Sequence, residues 1–120
     1  MTVSLVRVYE LTDVGDRPSF LVERLWPRGV RRDALAGAQW LPEAGPSTEL
    51  RKWFNHDPDR WDEFRRRYVA ELDAHPEAWR VLADAAAAGD VVLLYSSRDT
   101  EHNNAVALRE YLGAPAGGTR

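Results

Sequence analysis

The stretch LLYSSRDTEHNNAV, from Leu93 to Val106, passes from an apolar run straight into hydroxyl, guanidinium, carboxylate, imidazole and amide side chains. Ser96, Ser97 and Arg98 have the hydrogen-bonding and cationic groups that hold an anion, and a helix starting just beyond them would add unpaired N–H groups. His102 in a first helical turn would be held neutral by the helix dipole, able to take or give a proton. Asn103 could orient a ligand or that imidazole. The plainer reading is ordinary capping, with Asp99 or Thr100 capping the helix, Asn103 solvated and His102 packed against a neighbour. Glycine and lysine are absent from the stretch, so it is not a glycine-rich phosphate loop.

Two further stretches carry chemistry. In ERLWPRGVRR, Glu23 and Arg24 sit within an apolar run and need partners if buried, with Arg7 and Glu10 as candidates across a sheet. Trp26 and Arg28 pair a planar aromatic with a guanidinium, suited to a base, a sugar or a phosphate. In PSTELRKWFNHDPDRWDEF, Arg51 would join the anion-binding set, and His56 beside Asp57 could be a general base with its orienter. Asp57 also has the position of a helix cap ahead of Pro58. His56, Asp57, Asp99 and His102 have no metal-ligand spacing, so no metal site is expected, and nothing in the sequence names a cofactor. The candidate set is thus His102 and His56 for proton transfer, with Arg24, Trp26, Arg28, Arg51, Tyr95, Ser96, Arg98 and Asn103 around a small anionic ligand.

These residues must be positioned by a small fold. The chain has 120 residues, 44% of them hydrophobic and 29% charged, which suits a single domain with its own core. Val3 to Glu10 is β-branched and partly alternating, a first strand. Phe20 to Trp26 reads as a second strand, apolar on both faces and ended by Pro27 and Gly29. Asp90 to Ser96 is the third and most apolar. Helices are expected over Arg31 to Gly37, Thr48 to Phe54 with Ser47 as cap, from Pro58 through the stripe Trp61, Phe64, Tyr68 and Leu72, from Pro76 to Gly89, and over Thr100 to Leu112. Glu63 with Arg67 and Asp62 with Arg66 have the i,i+4 spacing of helix ion pairs. Gln39 to Pro46 reads as a connector. Three strands make a small sheet, so a fourth is expected among the loops. The pattern predicts an α/β fold: one compact domain over residues 1–112, a small mostly parallel sheet flanked by helices, and a mobile C-terminal tail over 113–120. Ligands of such sheets sit beyond the carboxyl ends of the strands, where Ser96 emerges.

Composition narrows the function classes. There is no cysteine, which excludes disulfides, thiolate metal sites and a cysteine nucleophile. The net charge of −3 argues against a nucleic-acid coat. No stretch approaches the ~20 apolar residues of a membrane span, and no apolar leader opens the chain, so a cytoplasmic protein is expected.

The segments LVERLWPRGVRRD, GPSTELRKWFNHDPDRWDEFRRRYVAEL and VVLLYSSRDTEHNNAVALREYL together resemble the family called domain of unknown function 488, in its short YeaO-like bacterial branch. The likeness runs from about Arg7 to Leu112 and implies a single α/β domain of bacterial type. Longer members carry cysteines and a cysteine-histidine-arginine run near the place of His102 to Asn104. This chain departs from that pattern, so thiol and metal roles do not carry over. Some members are labelled regulators, but no helix-turn-helix is visible here. Three readings stay open: a small enzyme on a phosphorylated or nucleotide-like substrate, a non-catalytic module binding a small anion or a protein partner, and nucleic-acid binding through Arg60 to Arg67. The oligomeric state is not readable.

Overall fold

The fold was taken from a computed structural model, which describes residues 2–11 and 13–113. Four strands form one parallel sheet: β1 (Val3–Arg7), β2 (Ser19–Leu21), β3 (Ala38–Trp40) and β4 (Val91–Tyr95), in the order β1-β4-β2-β3. The α-helices are α1 (Thr48–Phe54), α2 (Trp61–Ala74), α3 (Arg80–Ala88) and α4 (Asn104–Leu112), with short 3-10 turns between elements.

β4 lies in the interior of the sheet, between β1 and β2, and every one of its residues is buried. Its unbroken VVLLY sequence is what a strand covered on both faces needs. Successive side chains alternate between the faces. Val91, Leu93 and Tyr95 join Leu50, Phe54, Phe64, Tyr68, Leu82 and Leu108 in the larger core, so the four helices cover that face. Val92 and Leu94 join Leu21, Val8 and Leu35 in a smaller core. That second face is closed by loops and two 3-10 turns, with Trp26 and Trp40 edge to face at 5.4 Å and the Arg32 guanidinium 4.2 Å from the Trp26 ring centroid.

The α/β class, the parallel sheet and the single domain agree with the sequence pattern, and β3 is the fourth strand expected among the loops. Several bounds differ. The second strand stops at Leu21, with one further sheet bond from the Val22 N–H to the Leu94 carbonyl, so Glu23 and Arg24 lie past the strand end. Val8 to Glu10 turns into a 3-10 segment, and Arg32–Leu35 is 3-10 instead of a helix to Gly37. α1 has the predicted bounds; the Ser47 hydroxyl accepts from the Leu50 N–H at 3.1 Å. α4 starts at Asn104, four residues later than Thr100. Its cap is Asn103, buried rather than solvated, whose Oδ1 accepts from the Val106 N–H at 3.0 Å. Of the tail expected over 113–120, all but Gly113 lies outside the described residues.

The bridge from strand end to helix α1 depends on a close backbone approach. A Cβ at Gly45 would stand 2.8 Å from the Arg24 nitrogen and 3.1 Å from the Val22 carbonyl oxygen, so only glycine fits without displacement. The Arg24 guanidinium then donates to the carbonyls of Gly45 and Pro46 at 3.1 and 3.2 Å.

Candidate functional site

A cleft opens where β2 and β4 end. It is lined by Glu23 beyond β2, Pro46, Arg51 and Phe54 from α1 and its approach, His56, Phe64 from α2, and Ser96, Ser97, His102, Asn103 and Asn104 beyond β4. Its cavity volume is about 120 Å3, below the roughly 300–1,000 Å3 of drug-sized sites, so it suits only a small ligand. All three chemistry-bearing stretches of the sequence reach it.

The wall beyond β4 is built by a chain of local bonds. The Asp99 carboxylate accepts the N–H groups of Glu101 and His102, both at 2.9 Å, and lies 2.9 Å from the His102 Nδ1. Those bonds, the Glu101 N–H first, hold the Asp99 carboxyl below its ordinary range. An ionised carboxylate only accepts, so Nδ1 is the donor, and a neutral His102 ring then has Nε2 as an acceptor. Nε2 makes no hydrogen bond among the described residues. The ring meets Trp61 edge to face at 5.4 Å. His102 precedes the helix instead of lying in its first turn, and it is the Asp99 carboxylate that orients its ring. Asn103 donates to the Asp99 carbonyl at 2.8 Å and caps α4, which occupies both ends of its amide within the fold. Asn104 donates to the Val22 carbonyl at 2.6 Å, tying the two strand ends together.

On the opposite wall, α1 ends at Phe54 and is followed by Asn55 and His56, with φ of 49° and 54°. Asn tolerates the left-handed region, whereas a left-handed His costs of order 1–2 kcal/mol. His56 does not pair with Asp57. The Asp57 carboxylate instead accepts from the Asp59 N–H at 3.0 Å as a cap and lies 3.7 Å from Arg60. The imidazole–carboxylate pair read from the sequence at 56 and 57 is thus found at 102 and 99.

Glu23 is the residue whose place in the site sequence reasoning missed. Its buried-looking charge raised a demand for a partner, but the expected partners Arg7 and Glu10 pair with each other, at 3.8 Å. Glu23 instead accepts the Ser96 N–H at 3.2 Å, and its own carbonyl accepts from the Trp40 indole at 2.7 Å. Burial pushes its carboxyl above the ordinary value of 4.5, opposed by the Ser96 N–H and hydroxyl and by the field of Arg51. Arg51 is half-buried in the cleft. Its guanidinium makes no hydrogen bond, and no ion pair within 4.0 Å, among the described residues.

The remaining predicted residues lie elsewhere. Arg98 is exposed and lines a shallower depression with His56, Ser96, Ser97 and Asp99. Tyr95 is buried in the larger core. Trp26 packs on the far face of the sheet, donating from its indole to the Val30 carbonyl at 2.7 Å. Arg28 is exposed, its carbonyl accepting from the Tyr9 hydroxyl, and does not line the cleft. Arg24 is held on the carbonyls already described. Among the described residues no three His, Asp or Glu side chains come together as a metal-holding group, and no helix is long and apolar enough to cross a membrane.

Comparison with known proteins extends over nearly the whole fold. The chain is 40% identical over 112 residues, 93% of its length and 97% of the relative's, to Uncharacterized protein YeaO of Escherichia coli (strain K12). It is 46% identical over 70 residues to Uncharacterized protein Rv3073c of Mycobacterium tuberculosis (strain ATCC 25618 / H37Rv) and to Uncharacterized protein Mb3100c of Mycobacterium bovis, covering 58% of this chain and 59% of each relative. No solved structure matches it at a significant level. The profile described as "Inactive DUF488-N3 subclade" matches residues 2–116, and the chain belongs to that family, DUF488-N3i.

Proposed function

We propose that this protein is a non-catalytic binding module that holds a small anionic ligand in the cleft beyond β2 and β4. The observation that carries this reading is Arg51: a half-buried guanidinium in a concave site with its N–H donors unclaimed among the described residues. Structural arginines in this chain are tied to carbonyls or carboxylates, as Arg24 and Arg65 are. A guanidinium left without such partners in a cleft is positioned for carboxylate or phosphate oxygens from outside. Ser96, Ser97 and the depression at Arg98 extend the polar surface next to it. The word "Inactive" in the family description supports binding over turnover.

One observation favours the enzymatic reading. The Asp99–His102 pair has the geometry of an oriented general base, and His102 lines the same cleft as Ser96 and Ser97. On that reading Arg51 would hold a phosphorylated or nucleotide-like substrate while His102 or His56 moved a proton.

A thermal-shift panel of inorganic phosphate, sugar phosphates and nucleotides separates the cases. A ligand at 100 times its Kd stabilises by roughly 2.7 kcal/mol, several degrees for a domain of this size. The binding reading expects a shift that Arg51→Ala abolishes and Arg28→Ala leaves intact, with the ligand recovered unchanged. Loss of the shift in Arg28→Ala alone would contradict the assignment to this cleft. Ligand conversion that ends in His102→Ala would establish the enzyme instead.

A further inference from the structure

The cleft is not a simple cationic pocket. Glu23 stands in it with Arg51, near enough for the guanidinium to act on the carboxyl, yet the two form no ion pair within 4.0 Å. An ionised Glu23 and Arg51 carry opposite charges that cancel, so a plain anion brings one negative charge too many into a half-buried space. The donors and acceptors are divided in the same way. Arg51 has only donors to give, while Glu23 and the Nε2 of a neutral His102 have acceptors. Phe54, Phe64 and Pro46 provide apolar wall beside these groups.

Resting on the anion-binding reading above, we propose that the ligand is a small zwitterion of the free α-amino acid class, its carboxylate held by Arg51 and its ammonium by Glu23, with His102 as a second acceptor. A carboxylate and an ammonium on one carbon fit a cation and an anion that are close but not in contact. The ligand then enters with no net charge and leaves neither protein charge unpaired. The apolar wall receives the side chain.

Calorimetric titration tests this with a panel of free amino acids, each against its N-acetyl form, which lacks the ammonium, its amide, which lacks the carboxylate, and inorganic phosphate. The proposal expects at least one free amino acid to bind, with both derivatives weakened at least about tenfold by loss of one charge-assisted contact. Glu23→Gln, checked for its fold by circular dichroism, should erase the preference over the N-acetyl form and strengthen phosphate binding. Arg51→Ala should weaken the binding of all of them by at least about tenfold. Equal binding of a free amino acid and its N-acetyl form, or Glu23→Gln without effect, would overturn the role of Glu23. Phosphate bound through Arg51 with no amino acid bound would overturn the zwitterion and leave the anion reading standing. Phosphate and amino acids all unbound would overturn the zwitterion, and the anion reading falls with it if the sugar phosphates and nucleotides of the thermal-shift panel also give no shift.

Discussion

Two arginine-bearing regions of this protein contrast sharply. Helix α2 and its approach carry Arg60, Arg65, Arg66 and Arg67, the densest basic cluster in the sequence. All four have carboxylate partners nearby: Arg60 on Asp57, Arg65 on Asp62 and Glu110, and Arg66 and Arg67 on Glu63. Arg67 also stacks on Trp53 at 4.2 Å. The cleft has one arginine, Arg51, and its guanidinium is unclaimed. A guanidinium already facing a carboxylate gains little by exchanging it for another anion, whereas an unclaimed one gains the whole interaction. Charge density in the sequence therefore points away from the candidate site, and an unclaimed guanidinium that is also half-buried in a cleft points toward it.

The contrast can be broken at several levels. Phe64 is both cleft wall and core, only 1% exposed and stacked on Phe54 at 4.3 Å. Phe64→Ala should cost about 3–5 kcal/mol by chemical denaturation, so the site should be lost with the fold. Arg51→Ala should separate the two: ligand affinity drops by about 1.5–3 kcal/mol in calorimetry while the melting temperature stays close to wild type. If Arg51→Ala unfolds the protein, the residue is structural after all. Asn103→Ala removes the α4 cap and the tie to the Asp99 carbonyl, and should cost roughly 1–2 kcal/mol of stability, read from denaturant unfolding curves.

Those first predictions rest on parts of the molecule that were unequally legible in the sequence. α1 and β4 were plain, because a Ser cap and an unbroken apolar run are local signals. β3 was hidden, since Ala-Gln-Trp has no periodicity of its own and is a strand only because β2 lies beside it. The start of α4 was misplaced because Asp99, Thr100 and Asn103 are all competent caps, and the choice among them came from tertiary packing that buried Asn103. His102, His56, Arg51 and Ser96 were legible as polar residues at a strand end or helix end. Trp26 and Arg28 leave their strand region for the other face and the surface, a turn geometry that residue types do not encode. Glu23 was visible as a charge in need of a partner, but its partner, a backbone N–H 73 residues away, was not.

A smaller effect sharpens the electrostatics. Burial raises the Glu23 carboxyl above its ordinary value of 4.5. The folded protein therefore holds that proton more tightly than the unfolded chain. Its contribution to stability is full below about pH 4.5 and is lost as pH rises through the raised value. Glu23→Gln should match wild type in acid and become the more stable protein toward neutral pH, read from melting curves across that window. A difference that shrinks toward neutral pH would contradict the assignment. At the low end, Arg66→Ala on the exposed face of α2 should change neither stability nor ligand binding measurably, as expected for a solvated ion pair. Weakened binding there would revive the basic helix as an interaction surface.

The most direct test follows the arginine side-chain Nε–H signals by NMR while inorganic phosphate is titrated into the wild-type protein. The account predicts that the Arg51 signal shifts first and saturates, together with the Ser96 amide, while Arg60, Arg65, Arg66 and Arg67 stay in place over the same range. Shifts of the α2 arginines at equal or lower phosphate, with Arg51 unmoved, would contradict the claim that the unclaimed guanidinium marks the site.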